Sequence, residues 1–256
     1  MTPAEITAEL RAAGCVFAEE EADLIVAEAD GGDVRRMVDE RVVGRPLEQV
    51  LGWAEFDGLR IAVAPGVFVP RRRSRLLVDL ATGRAAELEH AVVVDLCCGT
   101  GALAAAVLAR VPTVEVYAAD LDPDAAACAR RNLPADRVFE GDLFAALPDD
   151  LRGRVDVLMV NAPYVPTDAI ASMPPEARDH EHRVALDGGV DGLDVQRRVI
   201  RDAGHWLAPG GDLVIETGRH QVPATSAAMT AAGLVTETHT LSDLDAVAVR
   251  GRRGVC

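Results

Sequence analysis

From residue 76 onward, short apolar runs alternate with stretches of helical period, and that alternation leaves few folds open. Residues 91–96, 114–119, 137–140, 155–160 and 212–216 predict strands, followed by 234–238 and 246–250. Residues 74–86, 101–110, 123–132, 193–207 and 222–232 predict helices, the third with a proline near its start and the fourth stopped by Pro209-Gly210-Gly211. A strand joined to the next through a helix gives a mostly parallel sheet covered on both faces. In such sheets ligands sit beyond the carboxyl ends of the strands, so the residues ending each run are the candidates for chemistry.

Those ends carry a pattern. Asp95-Leu96-Cys97-Cys98-Gly99-Thr100-Gly101 closes the first strand and opens a helix, with glycines that let the backbone turn tightly and lie against a ligand. By itself this is a tight turn, or a relaxed dinucleotide fingerprint with Ala104 in last place. Asp120 ends the second strand and Asp142 follows the third. Three acidic residues after consecutive strands form the pattern of an adenosyl cofactor: Asp95 near the amino-acid part, Asp120 at the ribose, Asp142 at the adenine amino group. Asp122, before Pro123, reads as a helix cap. The fourth strand ends in Asn161-Ala162-Pro163-Tyr164: an amide, a small residue, a stiff proline and an aromatic hydroxyl, a set suited to holding a planar NH2 group.

Ahead of this domain, residues 2–44 predict two or three helices, punctuated by Gly14 and Gly31-Gly32, in a module too short for much of a core. Residues 45–75 predict a linker with a hairpin turning at Asp57-Gly58, then a loop leading into Arg71-Arg72-Arg73-Ser74-Arg75. The arginines read either as a solvated helix start or as a contact for an acidic or phosphorylated partner. Residues 165–190 read as a long loop, with Glu181 and His182 solvated rather than acting as acid and base.

Composition narrows the function. The net charge is −15, which repels nucleic-acid backbone, so a nucleic-acid partner is not expected. All 26 basic residues are arginine, which removes lysine Schiff-base and phosphate-loop chemistry. No apolar stretch approaches the roughly 20 residues that cross a bilayer, and no signal peptide is visible. Five scattered cysteines suggest reduced thiols and a cytoplasmic setting, with Cys97 and Cys98 as packing residues. No Cys/His cluster has metal-ligand spacing, so no metal is expected.

The acidic strand ends together with Asn161-Ala162-Pro163-Tyr164 resemble the class I S-adenosylmethionine-dependent methyltransferases that act on planar amides or amines. The closer resemblance is to the release-factor glutamine methyltransferases. It rests also on Arg45-Pro46-Leu47-Glu48-Gln49, Val69-Pro70-Arg71, residues 181–193, Leu207-Ala208-Pro209-Gly210-Gly211 and Glu216-Thr217-Gly218 with Gln221. The resemblance implies a Rossmann-like seven-stranded sheet over residues 76–256, a small N-terminal helical substrate-binding module over 1–44 and a linking hairpin over 45–75. It implies cofactor contacts at Asp95, Cys97, Gly99, Gly101, Asp120, Leu121, Asp142, Leu143 and Asn161, and catalysis by Asn161, Ala162, Pro163 and Tyr164. The acceptor implied is the side-chain amide of a protein glutamine, as in a peptide-chain release factor.

The chain departs from the family pattern at Ala162, where a proline is usual, and at Cys97, where a glycine is usual. A Pro-Glu-Thr-Glu run is replaced by Arg72-Arg73-Ser74-Arg75, and the helical module is shorter. These departures keep open a small-molecule acceptor, an adenine amino group, or a cofactor-binding protein without transfer activity. A dehydrogenase fits the glycines but leaves the Asn161–Tyr164 turn unexplained.

Overall fold

The structure, a computed structural model, describes residues 1–29 and 33–255; Gly31-Gly32, read as a break between helices, lie outside them. Helices α1 (Pro3–Ala12), α2 (Ala18–Glu28), α3 (Val34–Val42) and α4 (Leu47–Leu51) form the N-terminal module. Thr2 and Glu5 close a capping box at the start of α1, with Pro3 in the first turn, where its missing N–H costs nothing. Contrary to the expectation of little core, Ile6, Leu10, Ala22, Ile25 and Val38 are fully buried together. Val50 of α4 joins them, so the helical core reaches past residue 44. The buried Arg41–Glu21 pair spans α3 and α2.

Strands β1 (Trp53–Phe56) and β2 (Leu59–Ala62) form the hairpin, with Asp57 at φ 55° and Gly58 at φ 78°. Two left-handed central residues match the twist of the flanking strands. Phe56 and Ile61 bury into the core of the main domain, so the hairpin is part of its packing.

The main domain runs α5 (Arg75–Ala85), β3 (Val92–Leu96), α6 (Ala102–Arg110), β4 (Glu115–Asp120), α7 (Pro123–Ala129), β5 (Val138–Glu140) and β6 (Val155–Val160). It continues with α8 (Pro175–His180), α9 (Asp194–Ala203), β7 (Leu207–Glu216), α10 (Val222–Ala231), β8 (Leu234–Leu241) and β9 (Ala246–Arg253). The sheet order is β5-β4-β3-β6-β7-β9-β8, with β9 antiparallel to both neighbours and the remaining pairs parallel. This is the Rossmann-like seven-stranded sheet that the resemblance implies. Alternate residues of β6 feed opposite layers. Val157 and Met159 pack toward α5 and α6, while Leu158 and Val160 pack with Trp206 and Ile200 of the other face. Every residue of β3 is buried, as a central parallel strand requires.

Two segments differ from the sequence reading. The predicted helix over 193–207 ends at Ala203, and β7 begins at Leu207, running through Pro209-Gly210-Gly211. Leu207 pairs with Val155 and the register then shifts before Val157. A Cβ at Gly211 would meet the Val155 carbonyl oxygen at 2.7 Å, so only glycine lets the two backbones lie this close. The second is 165–190, which is not a plain loop. It contains a short 3-10 stretch at Thr167–Ser172, then α8, then Arg183–Ala185; bridge Gly66–Glu181 ties it to the preceding linker, and bridge Val165–Asp187 draws its own two ends together.

Candidate active site

A cavity of about 470 Å3 opens beyond the carboxyl ends of β3, β4, β5 and β6. Cys97, Gly99, Asp120, Leu121, Asp142, Leu143, Asn161, Ala162, Pro163 and Tyr164 all line it, so most of the residues singled out in the sequence converge. Asp95 and Gly101 do not. Asp95 lies inside β3 with no exposed surface, and neither carboxylate oxygen has a side-chain hydrogen bond partner. Burial pushes its carboxyl up to about 8. Gly101, at φ 75°, shapes the turn instead: a Cβ there would sit 2.8 Å from Leu133 Cδ1.

The turn after β3 is held by Asp120. Its two oxygens accept the N–H groups of Gly99 (2.8 Å) and Asp122 (2.9 Å), tying the ends of β3 and β4 together. Burial raises the Asp120 carboxyl, and these N–H donors oppose the rise. Cys97 adopts φ 58°, a left-handed conformation that favours glycine. Burial raises the Cys97 and Cys98 thiols well above their ordinary value, which agrees with packing roles. Asp142 accepts from Arg198 Nη2 at 2.6 Å on Oδ2, and both residues line the cavity.

Asp122 caps α7 through the Asp124 N–H, as the sequence predicts. It also lies 2.6 Å from His182 Nδ1. Asp122, Asp124 and His182 thus gather ligand-type atoms within 4.8 Å, a grouping that no local spacing could reveal because the histidine is 60 residues away. Here it ties the segment after α8 to the start of α7.

At the end of β6, Asn161 Nδ2 donates to Ser74 Oγ at 3.2 Å. That bond orients the amide so that Oδ1 is left as a free acceptor. Among the described residues neither Asn161 Oδ1 nor the Ala162 carbonyl accepts a hydrogen bond. Ala162 is buried and packs within the core on this face of the sheet. Tyr164 lies against the cavity, and its hydroxyl accepts from Arg73 Nη2 at 2.8 Å and donates to Glu216 Oε1 at 3.3 Å. Burial raises that hydroxyl above its usual value.

Both readings of the arginine cluster are corrected for two of its members. Arg71 Nη2 donates to Glu181 at 2.6 Å, and Arg73 Nε donates to Glu216 at 3.0 Å. Glu181 is not solvated: its side chain has no exposure, and its Oε1 also accepts the Val69 N–H. The residues missed by the sequence reading are therefore Ser74, Arg73, Glu181 and Glu216. Ser74 and Arg73 sit in the quoted arginine run, so its mixture of a hydroxyl among cations was the available signal.

Residues 58–176 match the family described as methyltransferase small domain. The chain is 41% identical over 194 residues to a release factor glutamine methyltransferase of Streptomyces coelicolor, covering 73% of this chain and 69% of that protein. A protein of the same name from Mycolicibacterium smegmatis is 34% identical, covering 93% and 91%. A 4-amino-L-phenylalanine/4-methylamino-L-phenylalanine methyltransferase of Streptomyces pristinaespiralis is 36% identical, covering 75% and 68%. Among solved structures, a methyltransferase from Pyrococcus furiosus superposes with a TM-score of 0.56 at 15% identity, over 87% of this chain and all of that one. These structural likenesses establish the fold, and the extent and level of sequence identity establish more: the chain belongs to the release factor glutamine methyltransferase family.

Proposed function

We infer that the protein transfers a methyl group from S-adenosylmethionine to the side-chain amide nitrogen of a protein glutamine, with a peptide-chain release factor as its partner. The observation that carries this is the orientation of Asn161. With Nδ2 tied to Ser74, Asn161 Oδ1 and the Ala162 carbonyl are two acceptors without a donor on consecutive residues that line the cavity, and a pair of acceptors is what a planar NH2 needs.

The residues fit the cofactor. Asp120 offers a carboxylate whose remaining lone pairs suit a ribose diol, Leu121 and Leu143 offer apolar surface for a base, and Asp142 has an oxygen for an amino group. S-adenosylmethionine supplies, when bound, an electrophilic methyl carbon on a sulfonium. An amide nitrogen is a weak nucleophile because its lone pair is delocalised, so positioning is the main resource. Asn161 Oδ1 and the Ala162 carbonyl hold the two N–H bonds, fixing the plane of the amide. They also stabilise the positive charge that grows on nitrogen during transfer. No strong base is needed, because the proton becomes acidic once the nitrogen is alkylated. Tyr164, held by Arg73 and Glu216, walls the site and keeps out water.

A second reading is transfer to the amine of a small molecule, favoured by the likeness to the 4-amino-L-phenylalanine enzyme. No described helix is long and apolar enough to cross a membrane, and a cytoplasmic setting fits the proposed partner. Incubation with methyl-labelled cofactor and, separately, a release factor, DNA, 4-amino-L-phenylalanine and cell extract separates the readings. Label on a glutamine of the release factor supports the proposal. Label confined to the small amine or to DNA replaces it.

A further inference from the structure

The guanidinium of Arg73 is only half used. Nε and Nη2 face inward, to Glu216 and to the Tyr164 hydroxyl. Among the described residues Nη1 makes no hydrogen bond, the side chain is 39% exposed, and it lines the cavity next to Ser74, the partner of Asn161. Glu216, 2% exposed, balances the charge, so the pair as a whole is neutral. A free edge of guanidinium N–H groups on a neutral pair suits a neutral oxygen acceptor better than a second carboxylate, which would crowd Glu216 with like charge. Asn161 Oδ1 and the Ala162 carbonyl satisfy N–H groups only, so the acceptor's own oxygen needs a donor.

We propose that Arg73 is the acceptor-binding residue that recognises the carbonyl oxygen of the amide, and so selects primary amides over amines. This rests on the amide reading above and deepens it. The arginine fork makes both contacts at once: its inner edge stays on Glu216 and Tyr164 while its outer edge meets the carbonyl. A lysine ammonium, compact and single-headed, keeps only one of them.

The test is binding of short peptides to the protein loaded with S-adenosylhomocysteine, read by calorimetry, so it does not depend on turnover. Three peptides differ at one side chain: glutamine, the methyl ketone that keeps the carbonyl and loses the NH2, and homoleucine, which has neither. The wild type should bind the ketone peptide roughly tenfold or more tightly than the homoleucine peptide, the scale of a hydrogen bond from a charged donor. Arg73→Met combined with Glu216→Gln, which leaves no unpaired buried charge, should erase that difference, as should Arg73→Lys. Unchanged thermal melting and cofactor affinity within about threefold keep folding out of the comparison. Equal binding of ketone and homoleucine peptides by the wild type overturns the proposal, and so does a preference that survives in both variants. If the ketone preference and its loss are found but no glutamine is methylated, the functional reading falls and the role of Arg73 stands.

Discussion

Replacing Arg71 with methionine isolates the Glu181 carboxylate, and the cost can be worked from its surroundings. The ion pair is 2.6 Å long, with the Glu181 side chain fully buried and Arg71 30% exposed. The methionine keeps apolar contact with Phe68, over which Arg71 now stacks at 4.7 Å. What remains to Glu181 is the Val69 N–H on Oε1, while Oε2 has no partner. Removing one member of a buried pair costs about 3–5 kcal/mol, and the partial exposure of Arg71 argues for about 3. Glu181 can escape by taking a proton. Burial already holds its carboxyl above the ordinary value, with Arg71 the largest opposing influence. Losing Arg71 therefore raises it further. For a carboxyl raised in the folded state, the penalty is present above the folded value and disappears as pH falls toward the unfolded one. Urea unfolding of Arg71→Met should then show a loss of about 3 kcal/mol at pH 8, shrinking to about 1 at pH 5. Adding Glu181→Gln should recover most of the loss at pH 8. A loss that is flat across pH, or under about 1 kcal/mol at pH 8, would refute the reasoning that an uncompensated carboxylate is the cause.

Asn161→Ala should abolish transfer while cofactor affinity, measured by calorimetry, stays within a few fold; a large loss of cofactor binding would contradict the acceptor-positioning role. Cys97 sits at φ 58°, so Cys97→Gly should stabilise by about 0.5 kcal/mol and the β-branched Cys97→Val should destabilise by about 2 kcal/mol. Chemical denaturation gives the order, and a valine variant as stable as wild type would remove the strain argument. Asp95, lifted to about 8, is mostly protonated at pH 7 and becomes a buried anion above pH 8. The native state should therefore lose up to about 1.4 kcal/mol per pH unit from this group as pH rises from about 4 toward 8, levelling off above 8, and Asp95→Asn should flatten that slope. Parallel stability–pH curves for wild type and variant would count against it.

The strands around the cavity were legible because each is a short apolar run ended by a polar residue, and parallel strands buried on both faces leave that mark. Asn161, Asp120 and Asp142 were legible for the same reason: a strand end is both a sequence boundary and a place in the fold. Arg71 and Arg73 were not. Their partners lie 110 and 143 residues away, and nothing local distinguishes a cation that meets a buried carboxylate from one that meets water. Glu181 failed with them, since its neighbours Asp179, His180 and Arg183 look like a solvated run. Asp95 is the opposite case. The pattern placed it on the cofactor, but its side chain leaves β3 into the interior rather than into the cavity. The start of β7 was hidden because Pro209-Gly210-Gly211 is turn chemistry in isolation and a close backbone approach in place.

The turn of Asn161 to Tyr164 is clamped by main chain on its outer side. A Cβ at Gly188 would meet the Pro163 carbonyl at 2.7 Å, and one at Gly192 the Tyr164 carbonyl at 2.2 Å. Gln221 Nε2 bridges the carbonyls of Tyr164 and Asp191. A side chain at either glycine has nowhere to go, so this half of the site behaves as a fixed jaw that neither drift nor design can easily reshape. Before residue 76 the cavity is lined by Pro46, Glu48, Phe68, Pro70, Arg71, Arg73 and Ser74, none of them a glycine wedged against backbone. Directed changes of acceptor should therefore be sought before residue 76, leaving the chemistry after it untouched.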